Sequence, residues 1–373
     1  MNTNKSFNLP FYVKSTIILL GLFLFTSMLY IAQDILVPLI FSVMIAVLLY
    51  PIVNFFVRMK INRVIAILFT LFLTILITAS LTVLIVRQAS IFIDSWPIMV
   101  DKFTVTLNEF THWASRYFDL NQWKVNRWIK TTQADSLTMS GAEVGKTMFF
   151  VGNGLMVMLL VPVYVFLLLY YNRLIIEFIH RVFVSSDQNQ ISKIISETKI
   201  VIQRYLAGLV IEGIIVAILN IVALFALGIE YAILLGILGA LLNVIPYIGG
   251  LVAVALPMAV ALATKDTGMY ALYVLAIYYI IQLIDNNIIV PLIVSSKVRI
   301  NALFAIIVVF AGNALWGISG MFLSIPLLAI IKVIFDHIEP LKPWGFLMGD
   351  TIPTVSKIRP IIKKFKRKTP DLG

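Results

Sequence analysis

Apolar residues run without alternation through 15–33, 35–57, 61–86, 147–171, 205–229, 231–263, 269–295 and 301–335, together more than half of the 373 residues. Unbroken runs of this length predict helices, because the strands of a membrane β-barrel alternate in segments of about 10 residues. A helix crosses a bilayer with about 20 apolar residues, so six of the runs read as plain crossings. The other two, 231–263 and 301–335, would be roughly 50 Å long as straight helices, against a hydrocarbon core of about 30 Å. Both are also interrupted near the middle. The first contains Asn243, then Pro246, which lacks a backbone donor, and the pair Gly249 and Gly250, which favours a turn. The second contains Gly312, Asn313, Gly317 and Gly320, followed by Pro326. Each long run is therefore expected to fold into two half-length helices.

The predicted fold is an all-α polytopic membrane protein with six full transmembrane helices and two re-entrant helical hairpins, set out as an inverted repeat. Eight full crossings are the alternative. Charge placement favours the hairpins. Arg58, Lys60 and Arg63 stand between the second and third runs without an acidic residue, so the positive-inside rule puts that loop in the cytoplasm. With two re-entrant segments Lys297 and Arg299 also become cytoplasmic, whereas full crossing of 231–263 places them outside. The helix at 205–229 with its hairpin then runs outward and the helix at 269–295 with its hairpin runs inward, the arrangement by which secondary transporters build a midplane site from broken helices.

Composition agrees with a bilayer: 61% of residues are hydrophobic and 13% charged, against roughly 45–50% and about 25% in soluble proteins. The net charge of +11 suggests nucleic acid until it is located. Seven basic residues and no acid lie between Lys357 and Lys368, a juxtamembrane tail suited to anionic lipid rather than a folded nucleic-acid-binding face. Segments 1–86, 147–171 and 205–335 thus read as three helices, a fourth helix and a transport core. The insert 87–146 carries seven basic and six acidic residues and reads as external. Within it Met99, Phe103, Leu107, Phe110, Ala114 and Tyr117 recur every three or four positions, giving a helix that lies among lipid headgroups or packs on a neighbouring subunit. Segment 172–204 reads as cytoplasmic and amphipathic, and 336–373 as a basic cytoplasmic tail. The first apolar run has no small-residue cleavage pattern and reads as a retained helix.

Only Glu212 and Asp285 among the 47 charged residues lie well inside apolar runs. Such a carboxylate costs at least about 2.5–3.5 kcal/mol on insertion scales, so it lines a cavity, is protonated or has a partner. Gln282 lies three residues before Asp285 on one helix face, Asn286 and Asn287 follow it, and Pro291 disturbs the helix six residues on. With Asn243 and Asn313 these offer an oxygen-rich, partly anionic site for a proton, a sodium ion or a small hydroxylated solute. Asn220, Asn243 and Asn313 equally suit hydrogen bonding between helices, and the glycines equally suit close packing. The absence of cysteine removes disulfides and thiolate chemistry. His112, His180 and His337 have no ligand spacing, no phosphate loop occurs, and no nucleophile–histidine pairing suggests an enzyme. No cofactor or metal is expected.

Asn243-Val-Ile-Pro-Tyr-Ile-Gly249 with Pro257, Gln282-Leu-Ile-Asp285-Asn286 with Pro291, and Gly312 through Gly317-Ile-Ser-Gly320 to Pro326 and Lys332 resemble the autoinducer-2 exporter (AI-2E) family of bacterial membrane proteins. The resemblance implies an inner-membrane homo-oligomer that exports autoinducer-2 in some members and exchanges sodium or lithium for protons in others. The chain departs from the family pattern at Gly250, Leu292, Ser295 and Asn301. The expectation is a secondary transporter exporting a small polar solute, driven by proton or sodium movement, with both termini in the cytoplasm. Asp285 is expected to couple the ion, with Gln282, Asn286, Asn243, Asn313 and Glu212 around it. Pro246, Gly249, Gly250, Pro291, Gly312, Gly317, Gly320 and Pro326 are the expected breaks. A cation/proton antiporter and a non-transport membrane scaffold are the alternatives.

Overall fold

The computed structural model describes residues 10–118, 151–183, 187–244, 249–294 and 300–350. Nearly all of the described chain is helical: α1 (Phe11–Ile31), α2 (Gln33–Arg58), α3 (Arg63–Phe118), α4 (Val151–Tyr170), α5 (Asn172–Val182) and α6 (Gln188–Ala226). There follow α7 (Ala232–Asn243), α8 (Gly249–Thr264), α9 (Met269–Ile284), a π-helical continuation (Asp285–Val294), α10 (Ala302–His337) and α11 (Lys342–Met348). By length and composition six of these helices could cross a membrane, α10 among them although it folds back, and a seventh if α4 and α5, bent by 66°, count as one span. Their outer faces suit lipid. None of α1 is buried, and Phe11, Phe23 and Ile31 are among its exposed side chains.

Two of the helices extend beyond their apolar segments. With no glycine or proline between Arg63 and Trp96, α3 continues unbroken through residue 86 to Phe118. Its 56 residues span about 84 Å at 1.5 Å each. The apolar positions Met99 to Tyr117 thus lie on a continuation of α3, while the remainder of the insert from 119 lies outside the described residues. Similarly α6 begins at Gln188 and passes residue 204 as one helix of 39 residues. Asp187 caps its start by accepting from the Asn189 amide.

Both long apolar runs fold back. In the first, Ala232 and Leu235 of α7 share a buried cluster with Val260, Ala261 and Ala263 of α8, so the two helices lie antiparallel. At 12 and 16 residues they reach only about 18 and 24 Å. The connection 245–248, with Pro246, lies outside the described residues. In the second, α10 leaves helical geometry at Trp316 and Gly317, where Gly317 takes φ +60°. The Ser324 hydroxyl then donates to the carbonyl of Val308 at 2.8 Å, although a straight helix would separate them by about 24 Å. The chain has reversed. Gly312 and Gly320 face each other across the reversal, each standing where a Cβ would meet the other's carbonyl. The orientation test at Lys297 and Arg299 falls on residues outside those described.

The core follows membrane rules, with small residues at the contacts, since lipid gives helices little hydrophobic reason to associate. Ala46, Ala66 and Ile67 join α2 to α3 and α4. Leu224, Ile229, Val274 and Tyr278 bind α6 and α9 to the first folded-back pair, with Phe92 of α3 packed edge-on to Tyr231 at its base. Met44, Tyr205, Leu206 and Leu323 connect α2, α6 and the second pair. Helix α6 is the common wall of the last two clusters. Its N-terminal end is tied to the end of α10 by Glu197 near His337 at 3.5 Å and by Gln190 donating to the His337 carbonyl. Lys332 is balanced by Asp336 one turn on, at 2.6 Å.

The close approach at the second reversal should tolerate no side chain. Gly312→Ala or Gly320→Ala should lower the thermal unfolding midpoint of the detergent-purified protein, by the equivalent of about 1–3 kcal/mol. Gly21→Ala, inside α1 where a Cβ meets open space, should not lower it, since alanine suits a helix interior better than glycine. Equal midpoints for all three variants would contradict the reversal.

Candidate functional site

A pocket of about 740 Å³ opens between α6, α9 with its π-helical extension, the first folded-back pair and the second, within the usual range of roughly 300–1,000 Å³ for small-molecule sites. Glu212 enters from α6, Asn243 from the end of α7, and Gln282, Asp285 and Asn286 from the α9 continuation. Asp285 is 2% exposed and Glu212 7%, the two buried charged residues among those described. The Asn243 amide donates to Asp285 Oδ2 at 2.8 Å, across 42 residues of sequence. That bond joins the tip of the first folded-back pair to the carboxylate.

Pro291 shapes this wall by widening the helix rather than ending it. Its missing N–H and its ring both conflict with the α-helical ladder, and from Asp285 the backbone takes up the i→i+5 pattern, a form common at functional sites. Asn287 donates to the Leu283 carbonyl at 2.8 Å and so compensates part of the disturbed ladder. Gln282 donates to Asn286 at 3.4 Å. Gly250 lets the second arm of the first pair come down on this group, for a Cβ there would stand 2.8 Å from the side-chain oxygen Oε1 of Gln282. Gly249 likewise lies against the Leu242 backbone.

Five of the six polar residues singled out in the sequence thus meet in one pocket: Asp285, Gln282, Asn286, Asn243 and Glu212. Asn313 does not. It is exposed on the first arm of α10 and absent from the pocket wall. Pro326 is buried in the second arm. The structure adds Tyr205 and Tyr278 to the lining, both more than nine-tenths buried. A sequence signal for them existed: each tyrosine stands seven residues, two helical turns, before a buried carboxylate, Tyr205 before Glu212 and Tyr278 before Asp285. Each of these helices precedes a folded-back pair, so the spacing repeats with the architecture.

The polar inventory separates into satisfied and unsatisfied groups. Ser42 and Thr70 donate to carbonyls four residues back in their own helices, and Ser324 also bonds within α10. Asp285 Oδ1, Asn220 Oδ1 and the Tyr278 hydroxyl are buried without any partner. Their side chains border one narrow cavity beside the main pocket. Orphaned buried oxygens are costly, and here three stand at one place. No group of three or more His, Cys, Asp or Glu suited to a metal occurs among the described residues.

Comparison with known proteins gives the family. The family model described as AI-2E family transporter matches residues 17–339. The chain belongs to the AI-2E transporter family. YueF of Bacillus subtilis is 26% identical over 348 residues, covering 86% of this chain and 90% of YueF. A Borreliella burgdorferi protein is 27% identical over 360 residues, 94% of each chain. Both are described only as transport proteins. The AI-2 transport protein TqsA of Escherichia coli is 34% identical over 128 residues, 34% of this chain and 37% of TqsA. This AI-2E transporter is accordingly a polytopic membrane permease of a bacterial family.

If the Asn243–Asp285 bond anchors the first pair, its loss should be felt in stability. Asn243→Leu should cost about 1–3 kcal/mol by leaving Asp285 Oδ2 unpaired. Combined with Asp285→Leu the losses should fall short of additive by about 0.5–3 kcal/mol in chemical denaturation of the micelle-bound protein. Simple additivity would dissolve the link.

Proposed function

We propose that the protein is a secondary transporter that exports a small polar solute, with proton or sodium movement as the driving force. The observation that carries this reading is the pocket in which two buried carboxylates, Glu212 and Asp285, stand with Asn243, Gln282 and Asn286 between two folded-back helix pairs. A carboxylate retained at such a place gains or loses a cation as its surroundings open and close. Asp285 is the coupling group, because Asn243 ties it to the tip of the first pair. A movement of that tip changes the hydrogen bonding of the carboxylate and hence its hold on the ion. The amides supply neutral hydrogen bonds to a hydroxylated solute, and the glycine and proline breaks at 249–250, 291, 312 and 317 are where the bundle flexes. Autoinducer-2 is the first solute to test, since TqsA is named for it. We read the protein as a homo-oligomer of the inner membrane with both termini in the cytoplasm.

Cation/proton antiport without an organic solute is the second reading, and the three unpartnered oxygens favour it. They border a cavity of about 10 Å³, where one water needs about 10–15 Å³, so no organic solute fits there.

Flux into proteoliposomes distinguishes these readings. With autoinducer-2 or sodium supplied against an imposed proton gradient, the wild type should accumulate one of them. Asp285→Asn should reduce coupled flux by about tenfold or more, as expected when a desolvated charge is removed from its partners at about 2–5 kcal/mol. Movement of sodium alone selects antiport. Movement of neither overturns transport in favour of the scaffold reading.

A further inference from the structure

The elbow between α4 and α5 carries a second polar pocket, away from the carboxylates. It measures about 100 Å³ and is lined by Tyr50 and Asn54 of α2, Arg63 of α3, and Leu169, Asn172 and Arg173 around the bend. No acidic residue lines it. Arg63 uses one donor to hold the Leu169 carbonyl at 2.6 Å, which satisfies an orphan group at the end of α4. A guanidinium has five N–H donors, so most of its hydrogen-bonding capacity remains. Lys199 of α6 sits over the Tyr50 ring at 3.6 Å and adds a third positive charge at the rim. Arg58 and Lys60, both exposed, follow on the same α2–α3 connection.

An independent feature shows what the surroundings are. Helix α5 turns 66° away from α4 and is amphipathic. Leu174, Phe178 and Val182 are exposed, at 65%, 65% and 56%, while Arg173, Glu177 and Arg181 form its polar side, with Glu177 bound to Arg181 at 3.0 Å. A span that ends in a sharp bend and continues as such a helix lies along the membrane surface with its apolar face among acyl chains. Its first turn then holds the pocket at headgroup depth.

We propose that this elbow is a binding site for the phosphodiester of an anionic phospholipid, held by Arg63 and Arg173 with Asn54 and Asn172 as neutral donors. Arginine presents paired N–H groups that match phosphate oxygens, and basic pockets between helices at this depth take acidic headgroups. The size fits. Where one water needs about 10–15 Å³, about 100 Å³ admits a headgroup phosphate, while the acyl chains lie along Leu174 and Phe178. The lipid would hold the α2–α3 connection, α4 and α5 together, far in sequence from the coupling site.

Native mass spectrometry of the purified full chain tests this directly, with phosphatidylglycerol and phosphatidylcholine offered at equal concentration and inorganic phosphate as competitor. The wild type should retain phosphatidylglycerol preferentially. Arg173→Gln, whose side chain is exposed and so removable without disturbing packing, should lower that retention about fivefold, the effect of one basic residue near an anionic surface. Arg63→Gln with Arg173→Gln should abolish the preference while leaving phosphatidylcholine binding as it was. If the single variant retains phosphatidylglycerol like the wild type, the site is elsewhere. If millimolar inorganic phosphate displaces the lipid, the pocket is an anion site and the lipid assignment fails.

Discussion

A carboxylate inside a bilayer must be enclosed by protein, and the organisation of this molecule follows from enclosing two. Glu212 and Asp285 lie on two long helices whose other faces are apolar. Neither helix alone can shield its acid from lipid. The two folded-back pairs supply the missing walls, with Asn243 and Gly250 from the first and Ala305 and Ile325 from the second. The short helices need not reach both membrane faces, because their backbone is covered by α6, α9 and each other.

This enclosure depends on close approach more than on hydrophobic burial, since lipid is as apolar as leucine. Small residues stand where the chain must pass another chain: Gly236 against Ile221, Gly250 over Gln282, and Gly312 against Gly320. None of these takes positive φ, whereas Gly317 does, because the second pair reverses there within two residues of otherwise continuous helix. The wall and the reactive group are therefore mechanically joined. The tip that Gly250 lets approach also places Asn243 on Asp285, so displacement of the pair alters the carboxylate's partners directly.

The reversals were legible because length and composition conflicted: 33 and 35 apolar residues exceed a bilayer and carry glycine and proline at their centres. The carboxylates were legible because charge in an apolar run is expensive. Other features depend on direction rather than on residue type. Asn313 has the same chemistry as Asn243, yet the arm that bears it turns the side chain outward. Tyr205 and Tyr278 resemble ordinary interface aromatics until their two-turn offset from each acid is set beside the repeated helix-and-reversal plan. The continuation of α3 to Phe118 was hidden by its loss of hydropathy from residue 87, where the helix itself does not end.

The pocket exists because both long apolar runs turn back on themselves. Since the native chain has no cysteine, paired substitutions test it cleanly. Val308→Cys with Ser324→Cys, oxidised in membranes and read as an intrachain disulfide by mass spectrometry, is the most direct measurement. Crosslinking within one chain is expected, because the Ser324 hydroxyl lies 2.8 Å from the Val308 carbonyl. A straight crossing would place the two Cα atoms about 24 Å apart, far beyond the roughly 7 Å limit for a disulfide. Failure to crosslink within the chain, under conditions where Val308→Cys and Ser324→Cys each react singly with a thiol reagent, would contradict it.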